Sequence, residues 1–326
     1  MNILVLGGTK LVGRGFVEAA LDRGHTLTLF NRGRTHPDRF PGVERIQGDR
    51  DGALDALSGR TWDAVYDPSA STPGRVAASV AALKDRVGAY VYISSVSVYP
   101  KPVPPGGDLL AERARWDGPN DVVTNENYGG LKTQCEDLVL DAFPSTGTAI
   151  RLGLVAGPYD ESERWGVWVR RVARGGVVLA PGDPEGPVQV IDGRDAGRFA
   201  VHLLETGQHG PYTVTGPSVS LAETLRTMAT AAGVEIQPHW IQHETLVAEG
   251  LQPWVEFPLW SAPSDFWFWR LDAARAREAG LVCRPLVETA RDALAWERSR
   301  SEVRGGLTPE REQELLARWG EQTLAP

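Results

Sequence analysis

The first two dozen residues constrain this chain more than any other stretch. Ile3 to Leu6 is a short unbroken apolar run, the length of a buried strand, and it stops at Gly7-Gly8-Thr9-Lys10-Leu11-Val12-Gly13. Apolar residues then recur at 12, 16, 17, 20 and 21 with helical period, up to a stop at Gly24. A strand, a tight glycine turn and a helix in that order form a seat for a dinucleotide pyrophosphate. Backbone N–H groups approach the phosphates, and the positive end of the helix dipole faces their charge. Gly7, Thr9, Lys10, Leu11, Val12 and Gly13 are therefore candidate cofactor contacts.

The segments that follow extend this beginning into an α/β pattern. Thr26 to Phe30 alternates and is rich in strand formers, and it ends at Asn31-Arg32-Gly33-Arg34. Twenty-four residues after Gly7, an NAD site would place an acid on the ribose 2′-hydroxyl, and here Asn31 stands instead. Asn31 leaves room for a 2′-phosphate, and Arg32, Arg34 and Lys10 offer the counter-charge, which favours NADP(H) over NAD(H). The competing reading is that these are solvated loop cations. A third strand over 43–46 leads to Asp49, either an acceptor for the adenine amino group or a turn aspartate. Strands over 64–67 and 89–94 flank a helix over about 75–87, and 148–152 forms a sixth strand. Strands alternating with helices predict right-handed βαβ units in a doubly wound parallel sheet.

After the fifth strand come Ser95-Val96-Ser97-Val98-Tyr99, a Pro/Gly-rich loop over 100–119, and Tyr128-Gly129-Gly130-Leu131-Lys132. Apolar residues at 131, 135, 138 and 142 put Tyr128 and Lys132 on one face of a helix, four residues apart. A phenol is a poor acid-base group at neutral pH, but an adjacent ammonium stabilises its phenolate and makes it a usable proton relay.

Gly-Gly-Thr-x-x-x-Gly, Ser-Ser-x-x-x-Tyr and Tyr-x-x-x-Lys, in this order, resemble an extended short-chain dehydrogenase/reductase of the NAD-dependent epimerase/dehydratase family over about residues 1–216. The resemblance implies a Rossmann-type nucleotide domain over 1–158, with 187–216 returning to it. The smaller substrate-binding region would comprise 159–186 and 217–326. It implies that Tyr128 transfers a proton, Lys132 holds the nicotinamide ribose and lowers the Tyr128 pKa, and Ser95 hydrogen-bonds the substrate oxygen. It also adds Pro68, Ser94 and Leu152 to the cofactor set. Lys10 replaces the family's usual middle glycine, as in a branch that includes chloroplast stem-loop-binding proteins. Dehydratases of the family carry an acid pair where this chain has Val96 and Ser97, so dehydration is disfavoured. Reductase and epimerase use the same three residues and stay open, as does a non-catalytic nucleotide- or RNA-binding protein on the same fold. Similar proteins commonly form a homodimer through the helices beside the fifth strand.

Beyond residue 158 the substrate side is less explicit. Ser97, Asp160, Arg164, Trp165 and Trp168 are candidate substrate contacts, the last four as lid residues or as packing. Arg194 and Asp195 read as structural. Ser220 and Glu223 form a capping box for a helix over 221–232, followed by eight Trp and Phe residues between 240 and 269. Most of these rings build a core, with Trp267 and Trp269 alternating, and one or two are expected to face a sugar or another flat small molecule. His239 and His243 would present a metal face only on a helix, and no third ligand is near, so no metal is expected. Thr308-Pro309 opens a docking helix for its own domain or for another subunit. A net charge of −8 repels a phosphate backbone, so no nucleic-acid partner is expected. Cys135 and Cys283, far apart, argue against disulfides and for a reducing compartment. With no leader-like or eighteen-residue apolar stretch, neither export nor a membrane is expected, and the cytoplasm is the default.

Overall fold

The structure is a computed structural model that describes residues 1–52, 54–103, 112–301 and 305–320. Part of the Pro/Gly-rich loop, 104–111, lies outside the described residues. In chain order the strands are β1 (Asn2–Leu6), β2 (Thr26–Asn31), β3 (Glu44–Gln47), β4 (Trp62–Asp67), β5 (Val87–Ser95), β6 (Gly147–Leu152), β7 (Leu154–Ala156), β8 (Gly176–Pro181), β9 (Pro187–Asp192), β10 (Gly210–Val214), β11 (Ser218–Ser220) and β12 (Ile236–Ile241). The helices are α1 (Leu11–Asp22), α2 (Pro73–Leu83), α3 (Tyr128–Ala142), α4 (Gly166–Val172), α5 (Gly193–Thr206), α6 (Leu221–Ala232), α7 (His243–Ala248), α8 (Ala274–Glu278), α9 (Leu286–Arg298) and α10 (Pro309–Gly320). None of the described helices is long and apolar enough to cross a membrane.

The chain divides into two compact units, the first formed by Met1–Val155, Ile191–Gly216 and Leu271–Cys283. Its sheet runs β10-β6-β5-β4-β1-β2-β3 with every neighbouring pair parallel, the doubly wound order expected. The unbroken run Ile3–Leu6 sits at its centre because a strand covered on both faces needs apolar residues at every position. Alternation then sorts them. Ile3 and Val5 join Phe16, Val17 and Phe199 under α1 and α5, while Leu4 and Leu6 join Val76, Cys135 and Val139 under α2 and α3. The α1 and α5 backbones meet at glycines: a Cβ on Gly197 would lie 2.3 Å from the Gly15 carbonyl carbon. Asp192 caps α5 by accepting from the Arg194 N–H at 2.8 Å, and the Arg194 side chain folds back onto the same carboxylate.

Residues 271–283 join this unit as a second return absent from the sequence reading. There Arg275 stands 4.8 Å from the Tyr212 ring centroid. Nothing in that stretch's composition marks the return, which depends on a long-range contact.

The second unit comprises Ala156–Val190, Pro217–Arg270 and the described residues from Arg284 onward. Here β8 pairs in parallel with β12, Val188 and Gln189 pair antiparallel with β11, and α4, α6 and α9 pack on one another. Ser220 accepts from the Glu223 N–H at 3.1 Å and Gly233 closes α6 in the left-handed region, so this helix has the expected bounds. Trp267 and Trp269 lie on a 3₁₀ turn over Pro263–Trp269, and only Trp269 is buried. α10 docks on its own unit: Leu315 and Trp319 are buried, and Glu312 pairs with Arg171 and Arg174.

Candidate active site

A cavity of about 470 Å³ opens at the C-terminal ends of β1, β2 and β4, where strand order reverses between β1 and β4. The glycine turn forms its floor. Gly7 and Gly8 have φ of +122° and +94°, and a Cβ on Gly8 would press on Val5, Val17 and Leu29 at 3.0–3.2 Å. The first-turn N–H groups of α1, at Leu11, Val12 and Gly13, have no acceptor within the helix and these residues line the cavity, so they could hold a pyrophosphate. The residues fit a dinucleotide.

Thr9, Lys10, Asn31, Arg32, Arg34, Asp49 and Pro68 also line this cavity. Asn31 is held on both sides of its amide: Nδ2 donates to the Gly7 carbonyl at 3.0 Å and Oδ1 accepts from the Gly33 N–H at 3.0 Å. Arg32 reaches to 3.9 Å from Asp49, and both remain solvated. Sequence reasoning missed Gly8, Arg50, Asp51, Ser69 and Arg75 in the lining. Arg50 turns inward, bonding Asp67 at 2.9 and 3.2 Å, and Arg75 bonds Asp51 at 2.7 and 2.8 Å. Burial opposes the charge on Arg50, and the Asp67 carboxylate outweighs it, so the Arg50 pKa is raised.

Ser95 ends β5 and caps the turn Val96–Val98. Its Oγ accepts from the Ser97 N–H and donates to Ser97 Oγ, each at 3.1 Å. The half-buried Tyr128 begins α3, and its N–H donates to the Thr124 carbonyl at 3.1 Å. Helix and turn approach closely because residue 129 is glycine: a Cβ there would lie 2.2 Å from the Ser97 carbonyl oxygen. The same holds for Gly130, whose Cβ would lie 2.4 Å from that of Trp116. Lys132 is buried, and its ammonium donates to the carbonyls of Ala70 and Ile93 at 3.0 and 2.7 Å and to Tyr92 Oη at 2.8 Å. Burial lowers its pKa to about 8, against raising contributions from Cys135, Asp67 and Glu136. Burial likewise pushes the Tyr92 phenol well up, and Tyr128 lies near enough to add to that shift.

Residues 3–215 match the NAD dependent epimerase/dehydratase family. The chain belongs to this family. Among curated proteins, a chloroplast stem-loop binding protein of 41 kDa from Arabidopsis thaliana is 28% identical over 182 residues, half of this chain and 45% of that protein. The chain thus spans about half the length of the curated relative it matches. Solved structures of similar fold include UDP-N-acetylglucosamine 4-epimerase from Bacillus cereus, 15% identical with a TM-score of 0.66 over 94% of this chain and 100% of that one. UDP-glucose 4-epimerase from Thermus thermophilus, complexed with NAD, is 20% identical with a TM-score of 0.62 over 91% and 99%.

Two cofactor candidates of this epimerase/dehydratase family member have buried side chains. Ser94 is buried and its Oγ has no hydrogen bond among the described residues, while the Leu152 side chain belongs to the core under α1 and α5. The expected lid is corrected for its tryptophans. Trp165 and Trp168 are 0% and 2% exposed, and Trp168 Nε1 donates to the Pro258 carbonyl, so both are packing residues of the second unit. Asp160 is buried, and its Oδ1 accepts from the N–H and hydroxyl of Ser162 at 3.0 and 2.6 Å. Burial raises its pKa above the ordinary value. Arg164 is exposed and donates to Ser162 Oγ at 3.2 Å. His239 lies on β12 and His243 begins α7, so they share no helix face.

Proposed function

We propose that this chain is an NADP(H)-preferring oxidoreductase of the extended short-chain type. It acts at a carbonyl or secondary alcohol of a small sugar or secondary-metabolite substrate. The observation that carries the chemistry is the glycine contact at Gly129, which brings the first turn of α3, bearing Tyr128, against the turn capped by Ser95. When bound, the nicotinamide gives or takes the hydride. Tyr128 moves the proton of the reacting oxygen, and Ser95 orients that oxygen through its hydroxyl. Lys132, one turn further along α3, places a positive charge that favours the Tyr128 phenolate. The preference for a 2′-phosphate is supported by Asn31, in place of an acid, beside Lys10, Arg32 and Arg34.

The test is Tyr128→Phe in protein assayed with carbonyl substrates. Turnover is expected to fall by at least about a hundredfold, with NADPH affinity retained. Full turnover in a folded variant would sink the assignment.

A second reading is an epimerase that retains NAD and returns the hydride to its substrate, supported by the fold likeness to sugar-nucleotide epimerases. Protein that purifies with tightly held NAD would favour it. A third, RNA binding, is supported by the chloroplast relative and opposed by the net charge of −8. Salt-dependent retention on RNA, with no nucleotide binding, would favour that reading.

A further inference from the structure

Between β4 and α2 the chain forms a short strap, residues 67–70, and side chains from elsewhere tie both of its ends. At the first, Asp67 binds Arg50 and accepts from Tyr90 Oη at 2.9 Å. At the last, the Ala70 carbonyl accepts from Lys132 Nζ at 3.0 Å and from Tyr92 Oη at 2.9 Å. Between them, Ser69 Oγ donates to the Leu6 carbonyl at 2.7 Å, and the Pro68 ring lies 3.3 Å from where a Cβ of Gly13 would stand. Pro68 and Ser69 thus brace the glycine turn, and both line the nucleotide cavity.

Lys132 is engaged from the protein side. It is 4% exposed, and its three N–H donors match the three acceptors already described at Ala70, Ile93 and Tyr92. Its ammonium also lies 4.5 Å from the Tyr92 ring centroid, so the two side chains form one packed pair.

We propose that Tyr92 and Lys132 are positioning residues for the adenosine half of the nucleotide. By holding the Ala70 carbonyl, they set the strap against the glycine turn and fix the shape of the cavity wall. The inference rests on the dinucleotide reading above, and it assigns the pair a role that contact with a nicotinamide ribose does not supply. A ribose ligand affects only ligands that carry that ribose, whereas a wall anchor affects every ligand that fills the adenosine side.

The experiment is calorimetric titration of wild type, Tyr92→Phe and Lys132→Met with NADPH and with 2′,5′-ADP, which lacks the nicotinamide half. If the wild type prefers NADH, NADH and ADP replace them. Tyr92→Phe keeps the ring and removes one hydroxyl. It is expected to weaken both ligands by the same factor, roughly three- to tenfold, with a larger equal loss in Lys132→Met. Val139→Ala loosens the same helix away from the strap and is expected to keep wild-type affinities, which separates wall shape from general destabilisation. A loss confined to the full dinucleotide, or no loss in Tyr92→Phe, overturns the inference. Should Lys132→Met fail to fold, Tyr92→Phe decides alone. Wild-type protein that binds neither ligand overturns the dinucleotide reading, and the inference with it.

Discussion

Arg50, just beyond β3, grips Asp67, the last residue of β4, with two hydrogen bonds of 2.9 and 3.2 Å. Asp67 is fully buried and the Arg50 side chain is 11% exposed, so each charge relies on the other for the solvation that water no longer supplies. The pair joins the β3 loop, which carries Asp49, to the strap that carries Pro68.

Asp67→Asn keeps the shape and leaves the Arg50 charge buried without its counter-ion. Stability is expected to fall by about 3 kcal/mol, the scale for removing one partner of a buried pair. Urea titration checks this, and Arg50→Met combined with Asp67→Asn should recover part of the loss. Equal stability of wild type and Asp67→Asn would mean that the pair is solvated in solution.

Lys132 supplies a prediction about pH. Its pKa is lowered from 10.5 to about 8 by burial. Between those values the unfolded chain holds a proton that the folded chain has released, so this group makes stability rise as pH increases through that window. Its destabilising contribution is present in full below about 8 and has gone above 10.5. If Lys132 favours the Tyr128 phenolate as proposed, activity moves the other way, falling as pH passes about 8 and the Lys132 ammonium is neutralised. A pH–rate profile checks this, and Lys132→Met should lack that limb. A wild-type rate that stays flat to pH 10 would contradict it.

The proposed preference for NADP(H) rests on Asn31 at the end of β2, where it lines the nucleotide cavity. Asn31→Asp places a carboxylate where a 2′-phosphate is expected, so NADPH affinity should fall by at least about tenfold while NADH affinity is held or gained. Titration with both cofactors checks it. A parallel loss of both would instead assign Asn31 to holding the Gly7 carbonyl and the Gly33 amide, the two groups it bonds.

Much of the nucleotide half was legible in the sequence because its constraints are local. The run Ile3–Leu6, the glycines at 7, 8 and 13 and the four-residue spacing of Tyr128 and Lys132 each follow from strand, turn or helix geometry over a few residues. The glycines at 129 and 130 carried an unread signal: their side-chain-free surface is needed against Ser97 and Trp116, from segments distant in sequence. Trp165 and Trp168 misled in the opposite sense, since a Trp looks alike in sequence whether it lines a cleft or fills a core.

The first six strands, the helices α1, α2 and α3 set between them, the glycine turn and the four-residue spacing of Tyr128 and Lys132 were set out by the sequence alone, because periodicity and φ requirements act along the chain. The partners of Arg50, the anchoring of Lys132 by Tyr92 and Ala70, and the return of residues 271–283 to the first unit were decided only in three dimensions. Buried charges and donors take whatever acceptor the fold brings within about 3 Å, and that proximity is a property of packing.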